Sequence, residues 1–397
     1  MAFLTAAAAP IVLAWSYLAV LTLAALARKP DAAPSGHRDP RLSVLIPAHD
    51  EAQLIARTVG SLRRQSYPAA QVVVVADNCR DSTAEEARAA GARVLVREDS
   101  LHPGKGRALR WSIDMLLAEP EPPDGIVIVD ADSEADPGLL EALGVALAGG
   151  AEVAQADYTV LGESTGRGDR LRALAVLLFN RTRNRGRAAL GLPASLLGNG
   201  MLLSRDFLLQ HPWDSFSSVE DLEFATRRRI DGVRPRFVPG HGVKGPLPTG
   251  YRAAVGQRLR WEGGRFYVLR SLGPALLARF FRRPDLGGLE ALLDLAVPPL
   301  SILFLVTVGG LSLSLLAGLV VPNAAAATAV WTACLTLALI HVVLGLRAAD
   351  APPGTLNALF GLPGFLIWKV AVYVKLIRGF DPYRWQRSVR KGEVGWR

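Results

Sequence analysis

Membrane-length apolar stretches at both ends of the chain constrain its fold more than any other feature of the sequence. Phe3–Ala27 carries no charged side chain, and Leu295–Val321 and Ala324–Leu346 are two further apolar runs. A helix needs about 20 apolar residues to cross the hydrocarbon core of a bilayer. We therefore expect three membrane spans, with a more polar region of the chain between the first and the second.

Two of the apolar stretches have a second interpretation. A cleaved signal peptide is the alternative for the first stretch, but signal peptides have a basic start and a short apolar core, and Phe3–Ala27 has neither. A fourth apolar stretch, Leu356–Ile377, contains Lys369 and Lys375. This stretch therefore either spans the membrane or lies at its interface.

Basic residues indicate the orientation of the chain, because cations near a span favour the cytoplasmic face. Arg28 and Lys29 follow the first span, and a basic tail runs from Arg378 to Lys391. We expect an external amino terminus, a cytoplasmic central region, a cytoplasmic tail and an interfacial or re-entrant fourth stretch. This arrangement corresponds to a multi-pass protein of a bacterial inner membrane.

The net charge of +9 raises nucleic acid as a partner, since a strongly basic chain attracts polyanions. No zinc-finger, helix-turn-helix or RNA-binding signature is present in the sequence, and the basic residues cluster beside the apolar stretches. Cations in those positions suit anionic lipid headgroups. The expected partner is therefore a membrane and not a nucleic acid.

Short apolar strands alternate with helical patterns in the central region. Near-continuous Val/Ile runs with intervening helices indicate an α/β fold with a doubly wound, mostly parallel sheet. Ligands bind at the carboxyl ends of the strands in such sheets, where we expect Asp77 and Asp130. The predicted strands are Ser43–Pro47, Gln71–Ala76, Arg93–Val96 and Ile126–Val129, and the predicted helices are Glu51–Gln65, Ser82–Ala90 and Lys105–Leu117.

Asp130 and Asp132 form an Asp-x-Asp motif at the end of an Ile-Val-Ile-Val run. Mg²⁺ and Mn²⁺ take hard oxygen ligands, commonly a few carboxylates together with substrate phosphates. Two carboxylates one residue apart can hold such an ion at the sheet edge, where it could polarise the oxygen atoms of a bound phosphate group. Two exposed turn aspartates are the alternative, which the preceding strand disfavours.

A carboxylate pair and an Arg/Trp motif follow later in the chain. Glu220 and Asp221 begin a helical pattern, where a carboxylate can serve as a base or can simply favour the positive end of the helix dipole. The run Gln257-Arg-Leu-Arg-Trp261 offers guanidinium groups that suit pyrophosphate and an indole face that suits a sugar. An amphipathic interfacial helix is the other interpretation of this run, and both can hold.

The three motifs in this order resemble those of the membrane-bound family-two glycosyltransferases. That family includes cellulose, chitin and hyaluronan synthases, poly-N-acetylglucosamine and Nod-factor synthases, and ceramide glucosyltransferase. The resemblance covers about Ser43 to Leu272. It implies a GT-A-like catalytic domain that transfers a sugar with inversion from a nucleotide sugar, with Mg²⁺ or Mn²⁺ as cofactor.

The resemblance also implies a role for each matching residue. Asp221 is the expected catalytic base, although Val219 replaces the threonine that the family has before Glu-Asp. Asp132 is the expected direct metal ligand, and Asp130 is a second ligand or a contact to the ribose or donor sugar. The other expected donor contacts are Pro47, Glu51, Asp77, Lys105, Gln257, Arg258 and Arg260, and the expected acceptor contacts are Trp261, Gly198 and Glu220.

Simpler interpretations exist for three of the residues near the expected nucleotide. The resemblance has Asp77 accept hydrogen bonds from the uracil of a UDP-sugar, but Asp77 and Asp50 would also suit helix N-caps. Gly104-Lys105-Gly106 is either a turn with a cap or an anion site, because amide groups at a helix start attract anions. It is too short for a P-loop.

We expect four segments: a transmembrane helix and linker at 1–40, the glycosyltransferase domain at 41–248, amphipathic interface helices at 249–290, and transmembrane or interfacial helices with the basic tail at 291–397. The expected reaction transfers glucose or N-acetylglucosamine from UDP to a saccharide or lipid acceptor, in polysaccharide or glycolipid synthesis. The alternatives are a non-processive enzyme that adds one sugar to a lipid, and a catalytically silent membrane subunit or sugar-nucleotide receptor.

The apolar stretches also limit the expected product. A sugar polymer that crosses about 30 Å of hydrocarbon needs a continuous polar lining. Asp294 and His341 are the few ionisable residues in or beside the two carboxyl-terminal spans. We therefore expect a short saccharide or glycolipid, or else a homo-oligomer or an export partner that conducts a long polymer.

Overall fold

The structure is a computed structural model that describes residues 2–27, 39–67, 70–161, 166–248, 250–320, 324–379 and 381. The chain folds into two units, each built from separate parts of the sequence. We call them the helical unit and the sheet unit. The helical unit comprises Met1–Lys29, Ser164–Leu192 and Arg283–Arg378, and the sheet unit comprises Pro30–Glu163, Pro193–Arg282 and Gly379–Arg397.

The described strands form one eight-stranded sheet in the sheet unit, in the order 3-2-1-4-7-6-8-5. They are β1 (Leu42–Ala48), β2 (Ala70–Asp77), β3 (Arg93–Arg97), β4 (Gly125–Ile128), β5 (Glu134–Ala135), β6 (Val153–Val160), β7 (Met201–Ser204) and β8 (Arg236–Gly245). Parallel pairs join β1 to β2 and β4, β2 to β3, and β6 to β8. Antiparallel pairs join β7 to β4 and β6, and β5 to β8.

Helices account for most of the remaining described residues. The α-helices are α1 (Ala2–Ala7), α2 (Ala9–Ala27), α3 (Ile55–Arg63), α4 (Thr83–Ala89), α5 (Lys105–Leu117), α6 (Leu139–Ala148), α7 (Arg167–Val176), α8 (Arg183–Ala189), α9 (Arg205–Gln210), α10 (Glu220–Asp231), α11 (Tyr251–Arg282), α12 (Leu286–Ala296), α13 (Leu300–Gly318), α14 (Ala325–Ala348) and α15 (Leu362–Ile377). A π-helix at Leu177–Thr182 joins α7 to α8, and a 3₁₀-helix at Thr355–Gly361 precedes α15.

Helices cover both faces of the sheet, as the sequence predicts. Val44 and Ile46 of β1 point to a core shared with α3, α4 and α6, whereas Leu45 points to a core shared with α5, α9 and α10. Because both faces are buried, the strands can be apolar at every position. The predicted strands and helices of the first half are all present. The largest difference is that α3 begins at Ile55 and not at Glu51.

The helical unit contains the apolar stretches. The described helices include four that are long and apolar enough to cross a membrane, Leu4–Ala27, Leu300–Gly318, Ala325–Ala348 and Thr355–Leu376. Leu295 belongs to α12 and not to the following span, because the chain breaks at Val297–Pro299 before α13 begins. Lys369 of α15 is only 2% exposed. Its charge is therefore packed within the protein, and it does not by itself exclude a spanning helix.

The segment Ser164–Leu192 interrupts the sheet between β6 and β7 and packs in the helical unit. Arg187 of α8 is 1% exposed, and its guanidinium lies 2.5 Å from both Glu290 Oε1 and Asp294 Oδ1. Tyr17 of α2 donates to Glu290 Oε1 at 3.0 Å. This buried network ties α8 to α2 and α12 within the unit. The sequence pattern did not predict that these residues would join the apolar helices.

Candidate active site

The Asp-x-Asp motif lies at the ligand edge of the sheet, just after β4. The main chain continues in register as far as Val129, whose N–H donates to the Leu45 carbonyl at 3.0 Å. The N–H of Asp130 then donates to Asn199 Oδ1 at 3.1 Å, which fixes the turn that holds both carboxylates. The Asp130 side chain is 31% exposed. It is therefore held by the fold and is still accessible to a ligand.

Lys105 lies at the centre of a cluster of oxygen atoms. Its backbone begins α5 after Gly104, whose φ of +119° favours glycine. The Lys105 ammonium donates to Asp130 Oδ1 at 2.6 Å and to the Gly198 carbonyl at 3.0 Å, and it lies 3.5 Å from Glu220 Oε1. Burial opposes its charge, but the nearby carboxylates, Asp130 first, raise the pKa of Lys105 above its usual value.

Glu220 and Asp221 begin α10, as the sequence predicts. Burial raises the pKa of Glu220, and the charge of Asp221 adds to this effect, whereas Lys105 opposes it. Gly198 lies directly against the Asp221 side chain. Its φ is +77°, and a Cβ at this position would lie 2.6 Å from Asp221 Oδ2. Glycine is therefore required both by the backbone conformation and by the space that the carboxylate occupies.

Tyr158 of β6 is a site residue that the sequence reasoning missed. Burial and the charges of Asp130 and Asp132 raise the pKa of its phenol. Both carboxylates of the Asp-x-Asp motif therefore lie near one hydroxyl group. The sequence signal was weak, because Tyr158 stands in a strand whose other residues give no motif.

Asp77 ends β2, and its partner is Arg97 at the end of β3. The strand register places the two residues opposite each other, and Arg97 Nη1 donates to Asp77 Oδ1 at 2.6 Å. Their side chains are only 7% and 8% exposed. Asp77 does not cap a helix, since α3 and α4 begin after Leu54 and Ser82. Arg97 was missed because a single charged residue at a strand end carries no motif.

The loop after β1 lies against the end of β2. Pro47 pairs with Val75 in the parallel register. His49 Nδ1 lies 2.7 Å from the Asp77 carbonyl oxygen, and the N–H of Glu51 donates to Thr83 Oγ1 at 2.7 Å. Asp50 has a φ of +53° and accepts from the Arg80 N–H at 2.7 Å. Asp50 therefore stabilises a loop and does not cap α3.

The Arg/Trp motif occupies the first half of α11. Gln257, Arg258, Arg260 and Trp261 are all partly buried. The Arg258 guanidinium lies over the Trp261 indole, 5.2 Å from the ring centroid. Arg260 is close enough to Glu220 to lower the pKa of that carboxyl. Helix α11 thus brings one of its two motif arginines to the Lys105 cluster and the other to the tryptophan.

A sheet edge with an Asp-x-Asp motif, a partly buried lysine and a helix-initial carboxylate pair is typical of nucleotide-sugar-dependent glycosyltransferases with the GT-A fold. Residues 40–264 match the family model described as "Glycosyltransferase like family 2", and the chain belongs to this family. Its central region is therefore a glycosyltransferase domain of this family. The resemblance to family-two enzymes and the predicted fold class are both confirmed.

Individual relatives agree with this assignment. The probable glycosyltransferase YdaM of Bacillus subtilis (strain 168) is 27% identical over 262 residues, which are 61% of this chain and 58% of the relative. The matched region thus spans little more than half the length of that relative.

Two solved structures are similar to this chain, and the first of them has the same fold. The mannosyltransferase PcManGT from Pyrobaculum calidifontis, in complex with GDP-Man and Mn²⁺, is 17% identical with a TM-score of 0.55, over 94% of this chain and 99% of that chain. The glucosyl-3-phosphoglycerate synthase of Mycobacterium tuberculosis, in complex with Mn²⁺, UDP and glucosyl-3-phosphoglycerate, is 20% identical with a TM-score of 0.39, over 65% of this chain and 88% of that chain.

Proposed function

We propose that this enzyme transfers a sugar with inversion from a UDP-sugar, UDP-glucose or UDP-N-acetylglucosamine, to a saccharide or lipid acceptor at the cytoplasmic face of a membrane. One observation carries the proposal. Lys105, Asp130, Glu220 and Asp221 come from three separate segments of the chain and surround one small volume at the ligand edge of the sheet. A donor, a leaving diphosphate and an acceptor hydroxyl must meet in such a volume.

The Asp-x-Asp pair fits a divalent cation. Asp130 and Asp132 offer hard oxygen atoms one residue apart, just after β4 at the ligand edge of the sheet, and the Asp130 side chain is 31% exposed. Such oxygens are the ligands that Mg²⁺ and Mn²⁺ prefer. A bound cation would supply the positive charge that stabilises the departing diphosphate. We propose Asp132 as the direct ligand and Asp130 as a second ligand. The Mn²⁺ in the PcManGT complex supports a divalent cation as the cofactor.

Asp221 is the proposed base. The acceptor hydroxyl gives its proton to the Asp221 carboxylate while its oxygen attacks the anomeric carbon. The bond between that carbon and the β-phosphate oxygen breaks on the opposite side, so the configuration inverts. The close approach of Gly198 leaves no freedom for the Asp221 side chain to turn toward the loop. A carboxylate held in this way can accelerate the reaction about 10²- to 10⁴-fold.

Uracil suits the nucleobase end of the site better than guanine does. Among the described residues, Arg97 and Asn78 both donate to Asp77 Oδ1, so Oδ2 is the oxygen left for a ligand. Uracil presents one N–H on its pairing edge, whereas guanine presents two adjacent N–H groups that need two acceptors. We therefore propose a uridine donor for this chain, even though PcManGT was solved with GDP-Man.

The other motif residues have proposed roles in binding the donor or the acceptor. We propose that Pro47, Glu51, Lys105, Arg260 and Gln257 contact the donor. Arg258 lies over the Trp261 ring. We propose that Arg258 also contacts the donor and that Trp261 forms the acceptor platform. A sugar would stack on the indole through its C–H surface. Glu220 and Gly198 complete the acceptor side.

Product length follows from the apolar character of the helical unit. The four candidate spans are apolar, and a polymer cannot cross hydrocarbon without a polar lining. We propose a short saccharide or glycolipid, or a longer product exported with a partner or by an oligomer.

The deciding experiment uses purified protein with Mn²⁺ or Mg²⁺ and a panel of uridine, guanosine and thymidine diphosphate sugars. Nucleotide release would identify the donor, and mass spectrometry of the extracted products would identify the acceptor. The proposal predicts release from a uridine sugar only when a divalent cation is present. A silent subunit would release no nucleotide from any sugar above the rate of the Asp221→Asn variant.

A further inference from the structure

We infer that Lys105 is an internal counter-cation: it holds the Asp130 carboxylate while the site is empty and passes to Glu220 when a divalent cation and a diphosphate bind. This inference rests on the proposed function, because it assigns the Asp-x-Asp motif to a cation. It adds a role for Lys105 in the enzyme before any donor is present.

The first support is the position of the Lys105 ammonium. It lies 2.6 Å from Asp130 Oδ1, which is the distance of a strong charge-assisted hydrogen bond. An oxygen that accepts so short a bond from an ammonium is a poor ligand for a second cation, because the two positive charges would repel each other at close range. A cation that binds Asp130 must therefore displace Lys105 or bind more weakly.

The second support is the presence of a second carboxylate within reach. Glu220 Oε1 lies 3.5 Å from the same ammonium, so a shift of about an ångström would exchange one partner for the other. The Gly198 carbonyl accepts from Lys105 at 3.0 Å and can remain its partner in both positions. Glu220 is buried, and burial raises its pKa. A full ion pair with Lys105 would offset that cost.

The third support is that the backbone next to Lys105 is closely packed. The next residue, Gly106, lies so close to the Ser215 carbonyl that a Cβ there would overlap it. The start of α5 is therefore fixed against residues 215–216. Movement is restricted to the four-carbon side chain, which is flexible and 22% exposed. Lys105 can thus change partners without any change in the fold.

Mn²⁺ binding without nucleotide tests the inference directly. Free Mn²⁺ is measured by electron paramagnetic resonance in titrations of the wild type, Lys105→Met, Lys105→Arg, Asp130→Asn and the double variant Lys105→Met/Asp130→Asn. We expect Lys105→Met to bind Mn²⁺ about tenfold more tightly than the wild type, because Asp130 loses its competing cation. Lys105→Arg keeps the charge, and its affinity should lie within about threefold of the wild type.

The double variant separates a direct exchange from a general effect of charge. If Lys105 acts through Asp130, Lys105→Met should change Mn²⁺ affinity less than about twofold in the Asp130→Asn background. A gain in Mn²⁺ affinity that persists in the Asp130→Asn background would overturn the inference. The gain would then come from the loss of a positive charge near Asp132 and not from the release of Asp130. Unchanged or weaker Mn²⁺ binding by Lys105→Met would also overturn it.

Two controls keep the result interpretable. Lys105→Gln is a second neutral variant, and thermal melting of each variant establishes that it is folded before titration. Binding of Mn²⁺ in the presence of UDP is measured for the wild type in parallel. Suppose that the wild type binds Mn²⁺ with UDP, and that the Lys105 variants bind Mn²⁺ without nucleotide as tightly as the wild type does. Then this inference fails, and the proposed metal dependence stands. If the wild type binds no Mn²⁺ even with UDP, the proposed metal dependence fails and this inference falls with it.

Discussion

Arg97 and Asp77 form a buried ion pair of 2.6 Å across the ends of β3 and β2. The guanidinium also donates to Asp99 Oδ2 at 2.7 Å and to the His102 carbonyl at 3.0 Å. Arg97 therefore fixes the Asp77 carboxylate and the loop beside it in one geometry. A carboxylate held in this way can discriminate between nucleobases, because its position does not adjust to the ligand.

Arg97→Met should weaken UDP binding about ten- to a hundredfold, since Asp77 would lose a charge-assisted hydrogen bond and remain buried. Isothermal titration of UDP measures the change. Arg93→Met is the matched control, because Arg93 lies on the same strand but pairs with Glu119 at the surface. Equal UDP affinity in the wild type and the Arg97 variant would contradict the nucleobase role of this end of the sheet.

Asp132→Ala should abolish sugar transfer and the metal-dependent part of UDP binding, because the diphosphate would lose its bridging charge. The measurement is UDP affinity with Mn²⁺ and with a chelator. Asp206→Ala removes an exposed carboxylate from α9 and should leave both affinities unchanged. Transfer near the wild-type rate by Asp132→Ala in Mn²⁺ would show that Asp132 is not the ligand.

Asp221→Asn should lower turnover about 10²- to 10⁴-fold, because an amide keeps the shape of the side chain but accepts no proton. UDP affinity should stay within a few-fold of the wild type. Steady-state rates and UDP titration are measured on the same preparation. If UDP binding collapses together with turnover, Asp221 has a structural role and another group is the base.

Gly198→Ala should lower turnover more than it lowers stability, because its Cβ would displace the Asp221 carboxylate. The matched control is Gly150→Ala. Gly150 also has a positive φ, but a Cβ there meets no atom within 4 Å. Both variants carry the backbone cost of about 1 kcal/mol, and only Gly198→Ala should lose activity. If the two variants have the same activity and the same melting temperature, Gly198 has no role in positioning Asp221.

The orientation of the tail is tested by labelling a cysteine at Ser388, which lies outside the described residues. We expect protection from a membrane-impermeant thiol reagent added outside intact cells, since the basic tail favours the cytoplasm. Cys79 and Cys334 are replaced by serine and alanine beforehand. Labelling from outside would show that Thr355–Leu376, which is long enough to cross, does so.

The first half of the fold could be predicted from the sequence because its signals are local. Val/Ile runs gave β1–β4, and Lys105–Leu117 was predicted with the bounds that α5 has. The antiparallel half of the sheet could not be predicted in the same way. β7 has four residues and β5 has two, and their pairing depends on partners far along the chain.

The site shows the same division. Residues in motifs, such as Asp130, Asp221 and Lys105, were predicted, whereas Arg97 and Tyr158 were not. Their importance follows from strand register and from proximity in space, which no local pattern records. Likewise, Arg187 appears in the sequence as one arginine among several, and its partner Glu290 lies 103 residues away.

The segment Ser164–Leu192 lies between two parts of the sheet unit in sequence but belongs to the helical unit. This has a practical consequence for producing a soluble enzyme. A fragment cut at the ends of the sheet unit would still carry α8, but it would lack Glu290 and Asp294. Arg187 would then lose the carboxylates that neutralise it, and removal of one partner from a buried pair costs about 3–5 kcal/mol. Truncation should therefore succeed only when residues 164–192 are also replaced by a short polar connection between β6 and the strand that follows.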